Sequence, residues 1–146
     1  MNAVQNLRAK KKYHLRIPSQ TDNLEIIREF VTQIARKVGF REDETSKIEL
    51  AVDEACTNVI EHAYSKDERK LIDIAIQIDP QKFTVIITDQ GKGFNAKRLK
   101  KIDMKKYLEE MRVGGLGIHL MHTLMDEIDF DVVGGRKNQV KMVKYF

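Results

Sequence analysis

The chain has 146 residues, and its 26 basic and 22 acidic side chains leave a net charge of only +4. With 42% hydrophobic and 33% charged residues it is no disordered chain, and one globular domain over residues 1–146 would bury roughly 70% of its unfolded surface. No apolar run approaches the ~20 residues of a membrane span, the basic N-terminus has no signal-peptide core, and the lone Cys56 allows no internal disulfide. A cytoplasmic protein with no membrane partner is expected.

The first alternating stretch is Lys12-Tyr13-His14-Leu15-Arg16-Ile17-Pro18, a strand closed by proline. Thr21 or Asp22 can cap a helix whose apolar positions Leu24, Ile27, Phe30, Val31, Ile34 and Val38 run to a stop at Gly39. A second helix begins near Asp43–Ser46, where Ser46 and Glu49 have capping-box spacing. Its stripe is Ile48, Val52, Ala55, Val59 and Ala63, and Cys56 reads as a small packing residue. Glu54 and Asn58 lie one turn apart beside that stripe, with His62 a turn further on. A flank is half supported by the core and half open to a ligand.

Ile72, Ile74, Ile76 and Ile78 alternate with polar or small residues, as a half-buried strand requires. Asp79-Pro80-Gln81-Lys82 turns the chain into a returning strand through Phe83, Val85 and Ile87, which ends at Asp89-Gln90-Gly91-Lys92-Gly93. Residues 95–113 are highly charged and weakly periodic, as in a loop or lid. The glycine run Gly114-Gly115-Leu116-Gly117 opens a helix through Ile118, Leu120, Met121, Leu124 and Met125. A last hairpin pairs Ile128–Val133 with Val140–Tyr145 and turns over residues 134–138. Antiparallel strands with helices grouped between them imply an α+β two-layer sandwich, a mixed, mostly antiparallel sheet covered on one face by helices.

The basic residues cluster at Lys10–Lys12 and from Lys97 to Arg112, runs that read as solvated surface. There is no tryptophan and no nucleic-acid-binding motif, so no nucleic-acid partner is expected. The Walker-type phosphate loop, a complete dinucleotide-binding glycine motif and the protein-kinase catalytic motifs are all missing. ATP, if handled here, needs another fold.

Glu54-x-x-x-Asn58, Asp89-x-Gly91-x-Gly93 and Gly115-x-Gly117 resemble, in order, the N, G1 and G2 boxes of the GHKL (Bergerat-fold) ATPases. The fuller strings Asp53-Glu54-Ala55-Cys56-Thr57-Asn58-Val59-Ile60-Glu61-His62-Ala63-Tyr64 and Gly114-Gly115-Leu116-Gly117-Ile118-His119-Leu120-Met121-His122-Thr123-Leu124-Met125-Asp126-Glu127 are similar to one branch. That branch is the RsbW-like anti-sigma-factor serine kinases of bacterial partner switching. The resemblance implies the histidine-kinase-like ATPase fold, ATP with Mg²⁺ as cofactors, and residues 95–113 as an ATP lid.

It also assigns roles that the chemistry of these residues allows. Asp89 would accept the exocyclic amine of adenine, with Gly91 giving the ring a close backbone approach and Gly93 opening the lid. Gly114, Gly115, Leu116 and Gly117 would wrap the phosphates at a helix start, where amides and dipole favour anions. Asn58 would offer an amide oxygen to Mg²⁺. Glu54 would orient or deprotonate the attacking hydroxyl. Arg112 would meet the terminal phosphate, with Lys92 and the lid lysines as substitutes, and Asn138 would lie near the base. Asn95 stands where related chains often carry Asp.

The fold alone does not choose the job. No helix pair with a phospho-acceptor histidine and no transducer domain is legible, so the acceptor is expected in trans. The implied function is an ATP-dependent protein serine/threonine kinase that phosphorylates a serine on an anti-sigma-factor antagonist of STAS type. It would also sequester a sigma factor or similar regulator and form a homodimer. The alternative is a non-catalytic ATP-sensing regulatory module of the same fold.

Overall fold

The computed structural model describes residues 7–63, 69–90, 121–133 and 137–146. Within them the chain forms strand β1 (Lys11–Pro18), helices α1 (Leu24–Lys37) and α2 (Glu42–Asn58), strands β2 (Leu71–Ile78) and β3 (Lys82–Asp89), and the final hairpin β4 (Glu127–Val133) and β5 (Lys137–Tyr145). The strands lie in the order β1-β2-β3-β5-β4, and every described pairing is antiparallel. With the helices on one side, this is the two-layer α+β arrangement expected from the sequence.

Strand alternation decides which face the helices cover. Ile72, Ile74, Ile76 and Ile78 of β2 are all buried, and the register sets Ile74 against Leu15 on one side and Ile87 on the other. Phe83, Val85, Val140 and Met142 extend the same apolar surface. Above it α1 buries Leu24, Ile27, Val31, Ile34 and Ala35, and α2 buries Ile48, Ala51, Val52, Ala55 and Cys56, a spacing that keeps one stripe of each helix against the sheet. Cys56 is the apolar packing residue expected, and burial pushes its thiol pKa up, away from reactivity.

Helix ends follow local chemistry, not always as the sequence implied. α1 stops at Gly39, which takes φ 101°, a left-handed value that a Cβ would oppose. Its amide donates to Arg36 O at 3.0 Å and that of Phe40 to Ala35 O at 3.1 Å, the paired bonds of a Schellman stop. The start of α1 differs from expectation. Thr21–Asn23 form a separate 3₁₀ turn, and no side chain caps the helix, because Asn23 Nδ2 donates instead to Pro18 O at 2.9 Å. α2 begins at Glu42, ahead of the expected Ser46–Glu49 capping box. Glu42, Asp43 and Glu44 fill its first turn with negative charge, which favours a helix N-terminus there without a capping side chain.

The N-terminal end of α2 is pinned over one end of the sheet. Phe40 meets the Phe83 ring edge-on at 5.5 Å and stacks on Phe146 at 4.8 Å. The Lys144 ammonium, on β5, sits 3.0 Å from Glu44 Oε2 and donates to Leu124 O at 3.0 Å.

Candidate functional site

From that pin α2 continues as far as Asn58. From Glu44 to Asn58 a helix rises roughly 21 Å, and from Phe83 to Asp89 a strand covers roughly 20 Å. A helix of that length laid along β3 would reach the Asp89 end. Glu54 and Asn58 are half-buried on the flank of the stripe formed by Ala51, Val52 and Ala55.

Neither Glu54 nor Asn58 has a hydrogen-bond or ion-pair partner among the described residues, whereas their neighbour Asp53 accepts from Arg28 Nη1 of α1 at 2.8 Å. The carboxylate and the amide are thus presented, while the residue beside them ties the two helices together. Glu54 is held above the ordinary carboxylate pKa, first by burial and then by the negative charges of Asp53 and Glu61. Burial of a charged form raises a carboxylate pKa and makes it a better proton acceptor.

Directly after Asn58 the backbone widens into a π-helical turn, Val59–Ala63, with the Val59 amide shared between Ala55 O and Cys56 O. Such turns are rare and are found disproportionately at functional sites. The sequence expected a helix continuing smoothly past Val59 and His62. Five consecutive residues without glycine or proline carry no composition signal for this departure.

At the far end of β3, Asp89 is 6% exposed and Asn138 of β5 is 8% exposed. The register places them opposite each other, and Asn138 Nδ2 donates to Asp89 Oδ1 at 2.9 Å. A carboxylate so enclosed must have donors aimed at it. The Asn138 amide is one of those donors. The sequence placed Asn138 within the hairpin turn; instead β5 begins at Lys137. Counting back in twos from the inward residues Met142 and Val140 would have found Asn138 on the same face.

The remaining sequence candidates, Gly91, Gly93, Arg112, Gly114, Gly115, Leu116 and Gly117, and the lid at 95–113, lie outside the described residues. Beyond them the chain is described again at the end of a helix, where the Met125 amide donates to Met121 O at 3.0 Å and both methionines are buried. The buried Lys144 that caps this helix end was not foreseen. A lysine at an inward strand position is its only sequence signal.

Residues 17–144 match the family model described as the histidine kinase-like ATPase domain. The chain is 34% identical to the serine-protein kinase RsbW of Bacillus subtilis (strain 168) over 119 residues, which cover 78% of this chain and 74% of that one. The chain belongs to this ATPase family, on its RsbW serine-protein kinase branch. The RsbW kinase of Halalkalibacterium halodurans is 33% identical over 117 residues, covering 77% of this chain and 71% of its own. Among solved structures, the SiaB–SiaC complex of Pseudomonas aeruginosa matches with a TM-score of 0.68 at 14% identity, over 90% of this chain and 88% of that chain. A Mycobacterium tuberculosis structure of RsbU and RsbW domains matches with a TM-score of 0.64 at 13% identity, over 92% of this chain and 32% of that one. Those two likenesses establish the fold. In this histidine kinase-like ATPase, Glu54 and Asn58 lie on the flank of α2, Asp89 ends β3, and Asn138 donates to Asp89.

Proposed function

We propose that this protein is an ATP-dependent serine kinase acting on a separate protein, an anti-sigma-factor antagonist of STAS type. The observation that carries the reading is Glu54, a half-buried carboxylate with a raised pKa and no described partner, one turn from Asn58. A module that only sensed nucleotide would have no use for a carboxylate poised to take a proton. Kinship with RsbW kinases supports the same choice.

In the proposed reaction Asp89, steadied by Asn138, accepts the exocyclic amine of adenine. The chemistry of Asn58 fits Mg²⁺, which keeps several waters and phosphate oxygens and needs one or two protein ligands. Bound there, Mg²⁺ would neutralise charge on the terminal phosphates. Glu54 orients the acceptor serine and takes its proton as the Oγ–P bond forms; the bond from the γ-phosphorus to the bridging oxygen breaks, and ADP leaves. The glycines at 91, 93, 114, 115 and 117, with Leu116 and Arg112, cover the phosphates.

The same protein holds a sigma factor or similar regulator, works as a homodimer, and acts in the cytoplasm. No helix among the described residues is long and apolar enough to cross a membrane. Phosphorylation of the antagonist releases it and frees the kinase for its target, so nucleotide turnover and partner choice are linked.

The test is incubation with ATP, Mg²⁺ and the antagonist that co-purifies with the chain, followed by phosphoserine mapping by mass spectrometry. Stoichiometric phosphoserine on the antagonist is expected; binding of ATP with no transfer contradicts the reading. Asn58→Ala is expected to weaken the Mg²⁺–ATP complex about tenfold or more while ATP binding without Mg²⁺ changes little, as titration calorimetry would show.

A further inference from the structure

Away from the nucleotide end, three stretches of chain bring five lysines to one groove: Lys10, Lys11 and Lys12 at the start of β1, Lys82 at the start of β3, and Lys141 on β5. The groove encloses about 480 Å³. Its floor is polar. The register puts Lys12 beside Gln77, Gln77 beside Thr84, and Lys141 beside Ile86, all on the face of the sheet that the helices leave bare.

None of the five lysines has an ion-pair partner among the described residues. Of the other described cations Arg16, Arg28, Arg36, Arg41, Lys47 and Lys144 each have a carboxylate within reach, while Lys37 and Lys70 share the unpaired state but stand outside the groove. One carboxylate, Asp79, lines the groove, and its Oδ1 already accepts from the amides of Gln81 and Lys82 at 2.8 and 3.0 Å. A space of 480 Å³ is about 8 Å across, close to the Debye length in physiological salt, so these charges feel one another. Gathering five like charges in a concavity raises the energy of the free protein and favours any anion that enters.

We propose that this groove is a second anion site and that it takes a small anion carrying several phosphate groups. The volume falls in the range of small-molecule pockets. Lysine ammoniums serve as point charges for phosphate oxygens, and Gln77 and Thr84 add donors on the floor. Convergence from three stretches suits a compact ligand rather than an extended acidic peptide. The site is separate from the one around Asp89: Thr84 and Asp89 are five residues apart on β3, roughly 17 Å, and face opposite sides of the sheet.

The ¹⁵N-labelled full chain titrated with inorganic tripolyphosphate at low salt tests this. Amide shifts centred on Gln77, Thr84 and Lys141 are expected, with affinity falling as salt rises. The double variant Lys82→Gln/Lys141→Gln should bind tripolyphosphate about tenfold or more weakly, with unchanged ATP affinity and unfolding midpoint. Shifts confined to the neighbourhood of Asp89 and Asn138, or equal binding by the double variant, overturn the proposal. So does a poly-glutamate peptide that binds more tightly than tripolyphosphate, or a change in sedimentation of the double variant that reveals the groove as a contact between copies of the chain. No readout depends on kinase activity.

Discussion

Lys144→Met removes an ammonium that joins three parts of the molecule. The side chain is 9% exposed; it donates to Leu124 O at 3.0 Å, lies 3.0 Å from Glu44 Oε2 and 3.8 Å from Asp126 Oδ1. Methionine fills the same volume, so no cavity enters the reckoning. The loss falls chiefly on Leu124 O, whose charge-assisted bond is worth about 1.5–3 kcal/mol. Glu44 keeps Lys47 at 3.3 Å and is 31% exposed, so water can serve it and its share is small. Together these give about 2–3 kcal/mol, which corresponds to a fall of roughly 4–12 °C in Tm for a domain of this size. The hydrogen bond from Lys144 is the main reason that the Glu44 pKa lies below its ordinary value. A depressed folded-state pKa stabilises above the unfolded pKa, and that stability is lost as pH falls through the folded value. The native chain should therefore lose more stability on acidification through this range than the variant does. Urea unfolding at several pH values measures both effects. A variant within 0.5 kcal/mol of the native chain with an unchanged m-value, or one with the same acid slope, would refute the reasoning.

Asn138→Ala strips Asp89 of its 2.9 Å donor in a buried setting; it should cost about 1–3 kcal/mol in urea unfolding and weaken adenosine nucleotides more than inorganic phosphates in calorimetric titrations. Asp53→Asn removes a negative neighbour that helps to hold the Glu54 pKa up. Transfer needs ionised Glu54 and so falls as pH drops through its pKa; in the variant the acid limb of kcat/KM should move to lower pH, and a limb that stays or moves upward contradicts the assignment.

The parts of the fold that rest on periodicity were legible. Isoleucines at every second position wrote β2 plainly, and Gly39 announced the end of α1 because a left-handed φ is cheap only there. Starts were less legible than stops. Three acidic residues opened α2 by their charge, which competes with the side-chain cap that Ser46 and Glu49 advertised. The site was half legible. Glu54 and Asn58 could be placed by helical spacing, but that neither has a partner among the described residues depends on tertiary packing. The Asp89–Asn138 pair depends on strand register across 49 residues of sequence, which no local pattern encodes. The same is true of Lys144, which reaches α2 and the helix before β4 from a strand.

The central claim is phosphoryl transfer, and it rests on Glu54. The measurement is single-turnover transfer from ATP to the antagonist serine by Glu54→Ala beside the native chain, with nucleotide affinity measured on the same samples. The account predicts ATP binding within about twofold of native and transfer slower by roughly 10²–10⁴, the range for a lost general base. Transfer at the native rate by Glu54→Ala would contradict it.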